Sequence, residues 1–229
     1  GIDWYPPLSD WRDGAGHADA AIAGGPTDLA YLRAGLNAGE AYDWYYADAA
    51  GRLAQARLPI SDGAHGKPWI FRPKDFANWW SQPHVEREGG VETAATTFVP
   101  GAKPIWLTEI GIPAVDKGAN APNVFSDPKS AENTSPHFSS GLRDDLVQAR
   151  GLEAILSGFD PAWAGFDPAR NPVHPVSGIR MVDPANIFVW TWDARPFPAF
   201  PDLDAIWADG ANFDTGHWIN GRIEGAAVD

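Results

Sequence analysis

An α/β fold, the later part of a (β/α)8 TIM barrel with long loops, is the class this sequence predicts, and three observations predict it. A short apolar run, Ile105-Trp106-Leu107, ends in Thr108-Glu109 before Gly111 and Pro113 turn the chain. Runs of this length bounded by turn residues read as buried parallel strands. A second run, Ile187 to Trp192, also ends in an acid, Asp193. Helical-period stretches lie between the strands, the alternation expected of parallel α/β architecture.

Taken in order, Gly1-Ile2-Asp3-Trp4-Tyr5 resembles the end of a strand stopped by Pro6-Pro7. Asp3 and Tyr5 share one face of it at period two. A domain rarely opens in mid-strand, so residues 1–229 read as the C-terminal portion of a single domain. Thr27 followed by Asp28 to Leu36 has an N-cap and helical spacing, with Gly39 as the expected stop. Tyr42-Asp43-Trp44-Tyr45-Tyr46 is the densest aromatic cluster, read as core or loop packing ahead of a sugar platform.

Ala47 to Ala56 is a second helical stretch, closed by Pro59, and residues 60–68 form a turn feeding a weaker strand at 68–71. Lys74 to Ser81 reads as a short helix, and Gly89-Gly90 and Pro100 bracket a loop that returns to the Glu109 strand. The thirty or so irregular residues after Glu109 have the character of a functional loop or lid. A longer helix is expected from Leu142 to Ser157, with Leu146, Val147, Ile155 and Leu156 on its apolar face and Gly158 as its C-cap. The convincing strands, at 1–5, 104–109 and 187–192, are too few for a closed eight-stranded barrel.

The formal charge of −13, from 17 Lys+Arg against 30 Asp+Glu, argues against nucleic acid or an anionic membrane surface as the main partner. No apolar run approaches the length of a membrane span. Without cysteine there is no disulfide framework and no thiolate metal site. The six histidines, 17, 65, 84, 137, 174 and 217, show no metal-ligand spacing, and no cofactor motif is present. Twelve Trp alongside 21 Pro describe long, defined loops with flat apolar faces, which lean toward a carbohydrate site.

Glu109, at a strand exit, is a candidate nucleophile or general base. The structural alternative is that it caps the next segment or pairs with Lys117. Asp3 and Tyr5 can hydrogen-bond Glu109 or a sugar hydroxyl, or only local backbone. Trp190 and Trp192 share a face, so one can floor a sugar subsite, with Trp11 and Trp44 as further stacking candidates. Asp193 with Arg195 lies on the ligand rim and reads first as an ion pair.

At these residues the chain resembles a known family, the glycoside-hydrolase-like TIM-barrel domain of the baseplate hub protein (megatron) of gene transfer agents and related tailed phages. The matching stretches are GIDWYPPLSDWRDG at 1–14, YDWYY at 42–46, SDGAHGKPW at 61–69 and KPIWLTEIGIPAVDKGAN–PNVFSDPKS across 103–130. FVWTWDARPFPAF at 188–200 and WADGANFDTGHWINGR at 207–222 complete it. Ile112 stands where that family more often has cysteine. The resemblance implies that residues 1–5, 104–109 and 187–192 are the sixth, seventh and eighth barrel strands, with Glu109 as nucleophile. Its acid/base partner would then belong to the fourth strand, outside this chain, leaving the fragment inactive alone. The implied substrate is a cell-envelope glycan such as peptidoglycan, and the implied partners are other tail and baseplate proteins. The implied location is the tail of a phage-like particle assembled in the bacterial cytoplasm and released. A non-catalytic glycan-binding or structural module is the alternative.

Overall fold

Burial of alternate apolar residues organises the central sheet. In the computed structural model, which describes residues 1–124, 134–190 and, singly, 202, 203, 205 and 210, three strands lie side by side. β1 (Ile2–Asp3) and β6 (Ile105–Ile110) are parallel, and β6 lies between β1 and β7 (Val182–Val189). The Ile105 amide donates to the Met181 carbonyl at 2.7 Å. Because that bond joins the starts of β6 and β7, these two strands also run in the same direction. The described residues thus carry a parallel α/β sheet that does not close into a barrel.

Two small antiparallel pairs accompany it: β2 (Trp44–Tyr45) with β3 (Leu58–Pro59), and β4 (Val85–Glu88) with β5 (Val91–Ala95). The second replaces the loop expected around Gly89-Gly90. Both glycines have positive φ, 55° and 83°, the backbone that a two-residue hairpin turn requires. The weak strand expected at 68–71 is instead a 3-10 helix, Pro68–Phe71. Pro68 presets the first turn, and the Ile70 and Arg72 amides bond three residues back, to Lys67 and Trp69.

Among the described residues four α-helices begin at aspartates whose side chains accept backbone N–H groups. Asp28 caps α1 (Leu29–Ala34), Asp48 caps α2 (Ala49–Ala54), Asp75 caps α3 (Phe76–Ser81) and Asp144 caps α4 (Asp145–Phe159). The cap of α1 is therefore Asp28 and not Thr27, and the helix stops at Gly35, before Gly39. A Cβ on Gly35 would stand 2.2 Å from the Leu8 carbonyl oxygen, so only glycine lets the helix end against the chain leaving β1. α4 buries Val147, Gly151, Ala154, Ile155 and Gly158, one stripe at helical spacing. Gly158 is inside the helix rather than its cap, and Leu146 is 53% exposed, off the stripe that its sequence neighbour Val147 follows.

The core lies between the sheet and α1, α3 and α4. Trp4 is edge-on to Phe159 at 5.6 Å and tilted on Phe76 at 4.9 Å between ring centroids. Leu107, Ile110, Ile155 and Val182 are fully enclosed around it. Asn171, also fully buried, joins α4 to β7: its side-chain amide donates to the carbonyls of Phe159 (2.6 Å) and Val182 (2.9 Å) and accepts from the Val182 amide (2.8 Å). β7 starts five residues earlier than expected and includes Pro184. Proline is tolerated there because, among the described residues, β7 is an edge strand.

By its contacts the chain divides into two compact units, Gly1–Phe188 and Val189–Asp229. No helix among the described residues is long and apolar enough to cross a membrane.

Candidate functional site

β6 alternates as a half-buried strand should, with Ile105 and Leu107 buried and Trp106 and Thr108 exposed. The alternation then slips. Glu109 is half-exposed and Ile110 is fully buried. The register shows the cause: Ile2 faces Leu107, but Asp3 faces Glu109, so Thr108 is an extra residue opposite β1. A bulge of this kind re-aims a side chain. It leaves Thr108 and Glu109 both on the open face of the sheet, beside Asp3 and Tyr5. The Thr108 hydroxyl donates to Asp3 Oδ1 at 2.7 Å, and the Tyr5 hydroxyl donates to Glu109 Oε2 at 2.8 Å.

The pair is reinforced from behind, where the Trp4 amide donates to the Glu109 carbonyl at 2.7 Å. Burial first, then the hydrogen bond to Glu109 and the charges of Glu109 and Asp3, push the Tyr5 phenol well above its ordinary pKa. Tyr5 therefore remains a donor across the physiological range. The structural alternative for Glu109, pairing with Lys117, is not realised: the Lys117 amine lies 2.7 Å from Asp116 and 2.9 Å from Asp13. Burial opposes the Asp116 charge, but Lys117, Ser139 and Ser140 outweigh it and hold that carboxyl far below its ordinary value.

The segments following β1 and β6 are bound to one another at the same end of the sheet. Asn120 accepts from the Ser9 hydroxyl at 2.5 Å and the Trp11 amide at 2.9 Å, and donates to the carbonyls of Trp11 and His137 at 2.8 Å each. Behind them is a buried ionic cluster. Arg57 bridges Asp10 at 2.9 Å and Asp19 at 2.5 Å, Tyr46 donates to Asp10 at 2.6 Å, and Tyr31 donates to Asp19. Burial works against the Asp19 carboxylate, yet the hydrogen bonds from Tyr31 and Arg57 overrule it and lower its pKa. Every charge in this cluster is paired, so it braces the loops.

Of the residues expected at the site, Glu109, Tyr5 and Asp3 share one face with Thr108. Trp11 is engaged in packing, its ring edge-on to His17 (4.7 Å) and Tyr31 (6.0 Å). Trp44 lies under the Arg57 guanidinium at 4.1 Å and beside Tyr46 at 5.0 Å, so it belongs to the ionic cluster. Trp190 is 43% exposed; Trp192, Asp193 and Arg195 lie outside the described residues. Sequence reasoning missed Thr108 and Trp106 on the open face. The adjacent polar pair Thr108-Glu109, where strict alternation allows one polar residue, was the signal for the bulge. Among the described residues no group of three or more His, Asp and Glu gathers in metal-binding geometry.

A family model described as the GTA TIM-barrel-like domain matches residues 1–201. No curated protein matches the chain.

Proposed function

The chain belongs to the family of TIM-barrel-like domains of gene transfer agents, a module of particle-associated proteins, and on that premise we propose that it is a glycoside-hydrolase-like part of a tail or baseplate hub acting on a cell-envelope glycan. In this reading β1, β6 and β7 are the sixth, seventh and eighth strands of the barrel. Glu109 is the nucleophile, and Tyr5 is a positioning residue that holds one carboxylate oxygen and leaves the other for the anomeric carbon. The acid/base carboxyl comes from outside the described residues, placed about 5–5.5 Å away if the reaction retains configuration.

The observation that carries the proposal is the bulge at Thr108. A regular strand would send Glu109 into the core with Leu107; the extra residue turns it onto the open face at the carboxyl end of the sheet, where barrel chemistry is located. Spending a ladder irregularity to expose a carboxylate that already has a donor is the pattern of a functional site.

Trp106 supports a second reading, glycan binding without cleavage. It is 46% exposed on the same strand face as Thr108, a flat ring beside hydroxyl and carboxylate groups. Digestion of purified peptidoglycan by the full-length protein separates the two. Hydrolysis that disappears in Glu109→Gln with the fold intact supports the nucleophile. Hydrolysis unchanged in Glu109→Gln removes the mechanism, and sedimentation with the glycan without release of sugar fragments favours binding alone.

A further inference from the structure

Two lysines are buried among the described residues, and they differ in company. Lys117 meets two carboxylates. Lys74 meets none at ion-pair distance: its amine donates to the Ala38 carbonyl at 3.0 Å, which uses one of three protons. Lys74 is 4% exposed. The acids whose charge reaches it are occupied elsewhere, Glu40 by a two-pronged Arg52 (2.7 and 2.5 Å) and Asp43, through Oδ2, by the Gly39 amide (2.8 Å).

Lys74 lines a cavity of about 220 Å³, together with Ala38, whose carbonyl holds its amine, and with Glu40 and Asp43, whose charges reach it. Leu8, Ala34, Ala38 and Trp44 give it apolar walls, and Asp10, Asp19, Glu40, Asp43 and Arg57, with the Tyr31 phenol, are the titratable and charged groups that face it. Lys74 also lines a smaller space of about 50 Å³, with Tyr42, Asp75 and Arg170 as the titratable and charged groups there. A buried lysine with no carboxylate at ion-pair distance, lining a space large enough for a small molecule, is a poor structural element, because no close ion pair offsets the cost of burying its charge.

We propose that this cavity is a carbonyl-capture site in which Lys74 condenses with a small hydroxyaldehyde to form an imine. The neutral amine attacks the carbonyl carbon, the new C–N bond becomes C=N, and the carbonyl oxygen leaves as water carrying the two amine hydrogens. At roughly 30 Å³ per water, the space holds a ligand of several heavy atoms. The second oxygen of Asp43 is an acceptor for its hydroxyl. Burial supplies the neutral amine: it lowers the Lys74 pKa to about 7 against the opposing pull of Glu40 and Asp43. This site is separate from the Glu109 face and stands whether or not glycan is cleaved there.

The test is reductive trapping with the full protein, glycolaldehyde and cyanoborohydride at pH 7, read by peptide mapping in a mass spectrometer. Lys74 is expected to be labelled at least about tenfold faster than exposed Lys103, with the preference lost when the protein is unfolded in urea. Its labelling rate rises with pH and levels off just above neutrality, whereas that of Lys103 continues to climb. Labelling of native Lys74 no faster than Lys103, or no faster than in urea, overturns the proposal. The comparison uses wild-type protein, so a variant that fails to fold does not blunt it.

Discussion

The Tyr5–Glu109 contact lends itself to a double-mutant cycle with Tyr5→Phe, Glu109→Ala and the pair. Phenylalanine keeps the ring and removes only the hydroxyl whose oxygen stands 2.8 Å from Glu109 Oε2. Hydrogen bonds to a charged group contribute about 1.5–3 kcal/mol. Both side chains are half-exposed, so water competes for each, and the coupling left between them is about 1 kcal/mol. Urea unfolding of the four proteins measures it, and the cycle cancels whatever else each side chain does. A second readout follows the phenol directly by NMR of isotope-labelled tyrosine. Tyr5 ionises above the ordinary value of 10.0, held there by burial and then by Glu109, and Glu109→Ala lowers its titration toward that value. A coupling below about 0.3 kcal/mol, or a Tyr5 titration indifferent to Glu109, refutes the idea that the bulge delivers the carboxylate to this hydroxyl.

Two further outcomes test the frame and the buried amine. Asn171→Ala strips the partners from two carbonyls and one amide at a fully buried junction; with three groups at about 1–3 kcal/mol each, the unfolding free energy from urea titration is expected to fall by at least roughly 3 kcal/mol. Lys74→Met is expected to stabilise the protein in a pH-dependent way. The folded amine titrates near 7 and the unfolded one near 10.5, so as pH falls from 10.5 the unfolded chain gains a proton that the folded chain refuses. The contribution of Lys74 to wild-type stability therefore declines down to about pH 7 and is level below it. The advantage of methionine, on the order of 4 kcal/mol at pH 7, shrinks toward zero by pH 10.5, and an advantage independent of pH contradicts the assignment.

The parts legible in the sequence were those written in local periodicity. The run Ile105 to Glu109 has apolar residues, a terminal acid and turn residues in one short window, and the 145–159 helix has a repeating stripe; local signals suffice for both. The misreadings share a cause of the opposite kind. Leu146 fits the apolar composition of its helix, but only the packing of α4 decides that the stripe passes through Val147, Gly151 and Ile155. Trp69-Ile70-Phe71 looks like a buried strand until Pro68 sets the preceding turn. Gly89-Gly90 was visible as a breaker, yet the hairpin around it depends on pairing between Val85 and Ala95, residues of unremarkable strand character.

The two sites differ in the same respect. Glu109 could be singled out because strand position and residue type coincide, while its exposure rests on a one-residue offset against β1 that exists only in the pairing. Lys74 has no local signal at all, since Pro73-Lys74-Asp75 reads as an ordinary helix entrance. Its isolation arises because Arg52 has taken Glu40 and a turn has taken Asp43, contacts set by residues 22 to 35 positions away in the chain. A carboxylate presented with a donor and an amine deprived of a counter-ion are both departures from what stability alone would select. The first is supported by a bulge and the second by a cavity lined by the buried amine's residue, so each points to a ligand by a separate physical argument.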